Sequence, residues 1–195
     1  MAEASTKPRA TGSLTALPAL GGHDETFGEV RIEERTGLGI VGAAVPLGEE
    51  KPFAAALRKG YGLDLPEVGH SDEANGIRAA MLQPGQLWII VPDGADDAFA
   101  AARAAFEEKA WLVDQSDAWA ALRVSGSQAA VHRALERICM LDLATFADGA
   151  VTRTSMEHLG VVLLREGGAY TLMSARSSAM SLLHALTLSA RHTND

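Results

Sequence analysis

Val30 and Ile32 alternate with charged neighbours in the stretch EVRIEER (29–35), which predicts a strand with one wet face. LGIVGAAV (38–45) predicts a second strand. The period then changes from two to that of a helix. EEKPFAAALRKGYG (49–62) opens with acids, sets Phe53, Ala56 and Leu57 at helical spacing, and stops at Gly60 and Gly62. IRAAMLQPGQLWIIVP (77–92) predicts a hairpin turning at Pro84-Gly85, with Trp88 to Val91 as a buried strand. In DDAFAAARAAFEEK (96–109), Phe99, Ala102 and Phe106 share one stripe of an amphipathic helix, with Asp96 and Asp97 favouring its N-terminus and Lys109 its C-terminus. WLVDQS (111–116) and AWAALRVSG (118–126) read as strands. SQAAVHRALERICM (127–140) reads as a helix that buries Val131, Leu135 and Ile138 while His132, Arg133, Glu136 and Arg137 stay wet. GAVTRTSM, LGVVLLRE and AYTLMSA follow as strands, and RSSAMSLLHALTLSA (176–190) as a closing helix.

The pattern repeats itself. Ala56-Leu57 is followed by Leu63-Asp64-Leu65 as Ala134-Leu135 is followed by Leu141-Asp142-Leu143, an offset of 135 − 57 = 78 residues. Gly85 to Trp88 is spaced as Gly167 to Tyr170, an offset of 170 − 88 = 82. Two echoes in one order predict a duplicated α+β domain, each half built as two strands, helix, strands, helix. Residues 1–25 carry neither period and are expected to form a tail that is flexible or wraps a partner; 26–190 form one domain and 191–195 a short C-terminal tail.

Composition narrows the function. A chain of 195 residues with 47% hydrophobic positions can bury roughly 70% of its unfolded surface, enough for one core. Its 25 acids against 17 bases make phosphate backbones and anionic membranes unfavourable partners, so no nucleic acid is expected. Cys139 is the single cysteine, flanked by Ile138, Met140 and Leu141, and reads as a buried thiol in a reducing compartment. No apolar run suits a secretory signal or a bilayer span, and a cytoplasmic location is expected.

Candidate chemistry is sparse. Gly37, Gly39 and Gly42 spell G-x-G-x-x-G, the dinucleotide fingerprint, but the strand before them is rich in Glu and Arg, and Pro46, four residues past Gly42, would clash in the first-to-second turn of the required helix. The stretch is therefore read as strand. His23, His70, His132, His158, His184 and His192 show no metal-ligand spacing. Ser116 between Asp114 and Asp117 lacks a nucleophile elbow and an orienting base, and reads as an Asp-capped turn. Trp111 and Trp119 read first as core packing and second as marks of a partner surface. No catalytic, cofactor-binding or metal-ligating residue is assigned.

From Asp114, Ser116 and Asp117 the chain runs through Ser125-Gly126, Cys139, Leu141-Asp142-Leu143, Phe146, Gly149 and Thr154. LQPGQLWIIVP (82–92) lies upstream and ARSSA (175–179) before the last helix. This ordered set, spread over about residues 29 to 190, resembles the gamma subunit of heterotetrameric sarcosine oxidase and, more distantly, the folate-binding part of the glycine-cleavage T-protein. The resemblance implies two intertwined strand-helix halves. It implies a place in a complex that oxidises sarcosine to glycine with oxygen, releasing hydrogen peroxide and passing the one-carbon unit to tetrahydrofolate. It also implies that FAD, FMN, NAD and tetrahydrofolate belong to other subunits, with the alpha subunit the main contact and beta and delta further members. Two alternatives share the resemblance: the small subunit of an N-methylglutamate dehydrogenase-type complex, and a free-standing folate-binding module. The second suffers from a chain about half the length of a T-protein and from the lack of a counterpart to its catalytic acid.

Overall fold

The structure, a computed structural model, describes residues 17–94 and 97–193; residues 1–16 of the expected tail, Ala95, Asp96 and the last two residues lie outside the described residues. The elements run β1 Asp24–Phe27, β2 Val30–Arg35, β3 Gly39–Ala44, α1 Glu50–Tyr61, β4 Ser71–Ala74, β5 Ile77–Gln83, β6 Gln86–Val91, α2 Ala98–Phe106, β7 Trp111–Asp114, β8 Trp119–Gly126, α3 Gln128–Glu136, β9 Val151–Met156, β10 Leu159–Glu166, β11 Ala169–Ala175 and α4 Ala179–His192. They make an α+β fold of two antiparallel sheets. One has six strands in the order β1-β2-β8-β11-β10-β9, the other five in the order β4-β5-β6-β3-β7.

The sheets pack face to face, and each carries a helix pair on its outer face. Along β6, Leu87 and Ile89 join Phe53, Leu57, Ala102 and Phe106 of α1 and α2 in one core. Trp88 and Ile90 point the other way, against Val162, Leu164 and Met173 of the six-stranded sheet. Burial on both faces is why these strands read as unbroken apolar runs rather than as alternating ones. The third core sets Val131 and Leu135 of α3 and Leu182 and Leu186 of α4 against Ile32, Val124, Tyr170 and Leu172. In α1 the stripe of Phe53, Ala56, Leu57 and Tyr61 is buried, and Gly62, at a left-handed φ of 71°, ends the helix by donating its N–H to the Arg58 carbonyl. Phe53 stacks on Phe106 with ring centroids 4.7 Å apart, and its full burial contributes about 2–3 kcal/mol.

The two halves are intertwined. β3, β4, β5, β6, α1 and α2 correspond to β8, β9, β10, β11, α3 and α4, and each half lends its leading strand to the other: β7 pairs with β3 and β2 with β8. The helix echo holds, since Leu57 and Leu135 are both buried under their sheets. The strand echo is corrected by one residue. The hairpins close at Gln83↔Gln86 and Glu166↔Ala169, an offset of 166 − 83 = 83, which matches Tyr170 to Leu87. At 82, Trp88 would match Tyr170, yet Trp88 faces the opposite sheet and Tyr170 the helices, because a one-residue slip along a strand reverses the face.

Other boundaries also move. β1 starts at Asp24, inside the expected tail, because it adds to the edge of β2 with Asp24 opposite Glu33, and four residues are too few to show a period. Residues 17–23 lie on this domain: the Glu34 carboxylate accepts the N–H of Leu20 (3.0 Å) and of Gly22 (2.8 Å), and the Arg176 guanidinium donates to the Leu17 carbonyl. α4 reaches His192, two residues past the expected domain end. α3 stops at Glu136, and Ile138 is only half-buried, because Cys139 leaves the helix to form a bridge with Met156. β4 was not expected; it turns into β5 at Asn75-Gly76, both at positive φ (55° and 78°), the dihedral pattern of a type I′ hairpin.

Candidate functional site

The glycines at 37, 39 and 42 serve the sheet. Gly37 sits at φ +72° in the turn before β3, and Gly39 and Gly42 lie within β3, so no helix N-terminus follows them. A Cβ at Gly39 would fall 2.5 Å from Ala98 Cβ and 2.6 Å from the Gly94 carbonyl oxygen, so this glycine allows the chain entering α2 to cross close over the strand.

Ser116 is fully engaged in a turn. Its hydroxyl donates to Asp114 Oδ1 at 2.7 Å and accepts the Ile40 N–H at 3.1 Å, while its own N–H donates to the same Asp114 oxygen at 3.0 Å. Gln115 is held on both sides, by its N–H to the Ile40 carbonyl at 2.8 Å and by its side-chain oxygen, which accepts from Trp119 Nε1 at 2.8 Å. Asp114 thus fastens the end of β7 to the start of β3, and among the described residues no histidine is hydrogen-bonded to the hydroxyl.

Two of the aromatics that the sequence singles out part company. Trp119 is half-buried and meets Trp88 edge-on, with centroids 4.8 Å apart, and the Arg153 guanidinium lies over both rings, 5.3 Å from Trp88 and 5.8 Å from Trp119. Trp111 is 74% exposed and Val113 56%, contrary to the core reading of Trp111. Both project from β7 toward the side of the six-stranded sheet, where that sheet no longer covers them. With Gly42, Trp88, Gln115 and Arg153 they line an open cleft of about 190 Å³.

No local sequence pattern announces the charged cluster at the other side of the interface between the sheets. Glu166 on β10 accepts from Arg35 Nη1 on β2 (3.2 Å) and lies 3.4 Å from Arg78 Nε on β5, and the Thr171 hydroxyl donates to it. Arg78 also binds Ser71 Oγ and Glu73, both at 3.0 Å. These residues sit far apart along the chain, and only the sheet topology joins them. They form a structural staple, with every carboxylate matched to a guanidinium.

Among the described residues no group of three His, Cys, Asp or Glu side chains could hold a metal ion, and no helix is long and apolar enough to cross a membrane. His132 is half-buried rather than wet; its Nε2 lies 2.8 Å from both the Tyr170 hydroxyl and Gln128 Nε2. Burial pushes the Cys139 thiol up, away from the thiolate a nucleophile needs. The most distinctive solvent-facing chemistry is thus the cleft along β7, with its exposed apolar pair and aromatic-stacked cation.

No family model matches the sequence, and no curated protein matches it. Solved structures do match. Heterotetrameric sarcosine oxidase from Corynebacterium sp. U-96, in complex with pyrrole 2-carboxylate, contains a chain that superposes with a TM-score of 0.74 at 20% identity, covering 88% of each chain. The glycine cleavage system aminomethyltransferase T from Bartonella henselae superposes with a TM-score of 0.59 at 12% identity, covering 84% of this chain and 49% of that one, so the chain spans about half the length of that enzyme. Two sheets, four helices and two interleaved halves therefore give this chain the fold of a chain of heterotetrameric sarcosine oxidase, and a fold found in about half of an aminomethyltransferase T.

Proposed function

We propose that this chain is the non-catalytic gamma subunit of a cytoplasmic heterotetrameric sarcosine oxidase complex, where it serves assembly and stability. The observation that carries this reading is the two-way coverage: the likeness to the sarcosine oxidase chain extends over 88% of both molecules, so each is matched nearly whole. In this reading the complex removes two electrons from the N-methyl group of sarcosine and passes them to oxygen as hydrogen peroxide. The one-carbon unit goes to tetrahydrofolate as 5,10-methylenetetrahydrofolate, and glycine is left. FAD, FMN, NAD and tetrahydrofolate sit on other subunits. This chain contacts chiefly the alpha subunit, with beta and delta completing the complex. A protein that binds only the folded form of its partner stabilises that form by mass action, which is the work assigned to this chain.

The test is to assemble the remaining three subunits with and without this chain. Loss of the chain is expected to lower the melting temperature and the flavin retention of the complex while leaving turnover per retained flavin unchanged. Turnover lost with flavins retained would show a catalytic part and contradict the reading. Tetrahydrofolate held by the isolated chain through dialysis would favour a free-standing folate module instead.

A further inference from the structure

Strands β2 and β7 are counterparts in the two halves. Ile32 of β2 lies opposite Val124 and Leu112 of β7 opposite Ala43, and Val124 and Ala43 pair in turn with the matched residues Tyr170 and Leu87. The outer edge of β2 is covered by β1, which runs antiparallel to it over Val30–Glu33. The matching outer edge of β7 has no strand on it among the described residues, which is the whole difference between the six-stranded and the five-stranded sheet. An open edge offers unpaired backbone N–H and C=O groups to any extended chain that fits.

The side chains at the two edges differ in the same sense. On β2 the pair on the face away from the helices is Arg31 and Glu33, engaged with Asp24 and Arg123. At the corresponding positions β7 carries Trp111 and Val113, two large apolar groups 74% and 56% exposed. Arg153 faces the same cleft, stacked over Trp88 and Trp119, and has no carboxylate partner among the described residues.

From these observations, and resting on the assembly-subunit reading above, we propose that the outer edge of β7 receives an extended segment of a partner subunit, which fills the strand position that β1 fills on β2. Its chemistry follows from the cleft: an apolar side chain over Trp111 and Val113 and a carboxylate that pairs with Arg153. A second copy of this chain fits less well, since two copies, each of net charge −8, repel one another.

Hydrogen exchange on the complex isolated through a tag on the full chain, compared with the chain alone, tests this directly. The amides of 111–114 are expected to exchange at least about tenfold more slowly in the complex. V113D is expected to weaken retention of the partner at least about tenfold, and M140K, at a 94% exposed methionine elsewhere on the surface, to leave it intact. A complex that forms with 111–114 exchanging as in the free chain, or that tolerates V113D, overturns the inference and leaves the assembly reading standing. Protection that appears through dimers of this chain alone also overturns it. If no other subunit accompanies the tagged chain, the assembly reading fails and takes the inference with it.

Discussion

Glu166 Oε1 lies 3.4 Å from Arg78 Nε, an ion contact that ties the six-stranded sheet to the five-stranded one. Arg35 shares the same carboxylate, and the three side chains are only 13–24% exposed. Removing Glu166 leaves the largely buried Arg35 guanidinium without its counter-charge and Arg78 with Glu73 alone, so Glu166→Ala is expected to cost about 2–4 kcal/mol in urea unfolding. Asp64→Asn, at the exposed Arg58–Asp64 pair, is expected to cost less than about 1 kcal/mol. Equal, small losses would mean that water already solvates the inter-sheet cluster.

Gly126 ends β8 at a φ of +138°, and a Cβ there would lie 1.8 Å from the Glu29 carbonyl oxygen and 2.9 Å from its carbon. Backbone on both sides cannot yield as a side chain could. Gly126→Ala is expected to destabilise by more than about 3 kcal/mol or to prevent folding. Gly160, where an added Cβ meets nothing within 4 Å, is the comparison: Gly160→Ala is expected to be neutral or stabilising by up to about 1 kcal/mol. Thermal unfolding of the two variants separates the cases.

Alkali is expected to weaken the fold. Burial raises the Cys139 thiol and the Tyr61 and Tyr170 phenols, so the folded protein keeps these protons to higher pH than the unfolded chain does. The stability they contribute is complete below the unfolded values, about 8.5 for the thiol and about 10 for the phenols, and is lost as pH rises through the higher folded values. Urea midpoints should therefore fall from about pH 8 upward, and Tyr61→Phe should flatten the part of the decline above about pH 10. A midpoint that rises with pH in that range would contradict these assignments.

The elements that were legible in the sequence are those whose burial imposes one period over many residues. Phe53, Ala56 and Leu57 announce α1, and the apolar run of β6 with Pro84-Gly85 before it announces its hairpin. β1 and β4 are four residues each, too short to show a period, although Asn75-Gly76 was a usable turn signal. The repeat was visible at Leu57 and Leu135, but one residue out at Trp88 and Tyr170, because both are large aromatics and only the strand face distinguishes them. The exposure of Trp111 and the meeting of Arg35, Arg78 and Glu166 depend on which strands become neighbours, which local pattern does not carry.

Trp111 and Phe53 are expected to respond oppositely to truncation. Trp111→Ala should leave stability within about 0.5 kcal/mol of the parent, since the ring packs on little. Phe53→Ala should cost about 3–5 kcal/mol, because the ring is wholly buried against Phe106. Iodide should quench a fluorescence component that Trp111→Ala removes; a loss of stability with Trp111→Ala comparable to that of Phe53→Ala would place Trp111 in the core.

The most direct test of the assembly role is native mass spectrometry, with an absorbance spectrum, on the chain purified from its own cells in mild salt. The expected result is a yellow assembly in which this chain accompanies one large and one intermediate subunit and which consumes oxygen when given sarcosine. A colourless chain that arrives alone and holds folate through dialysis would contradict it.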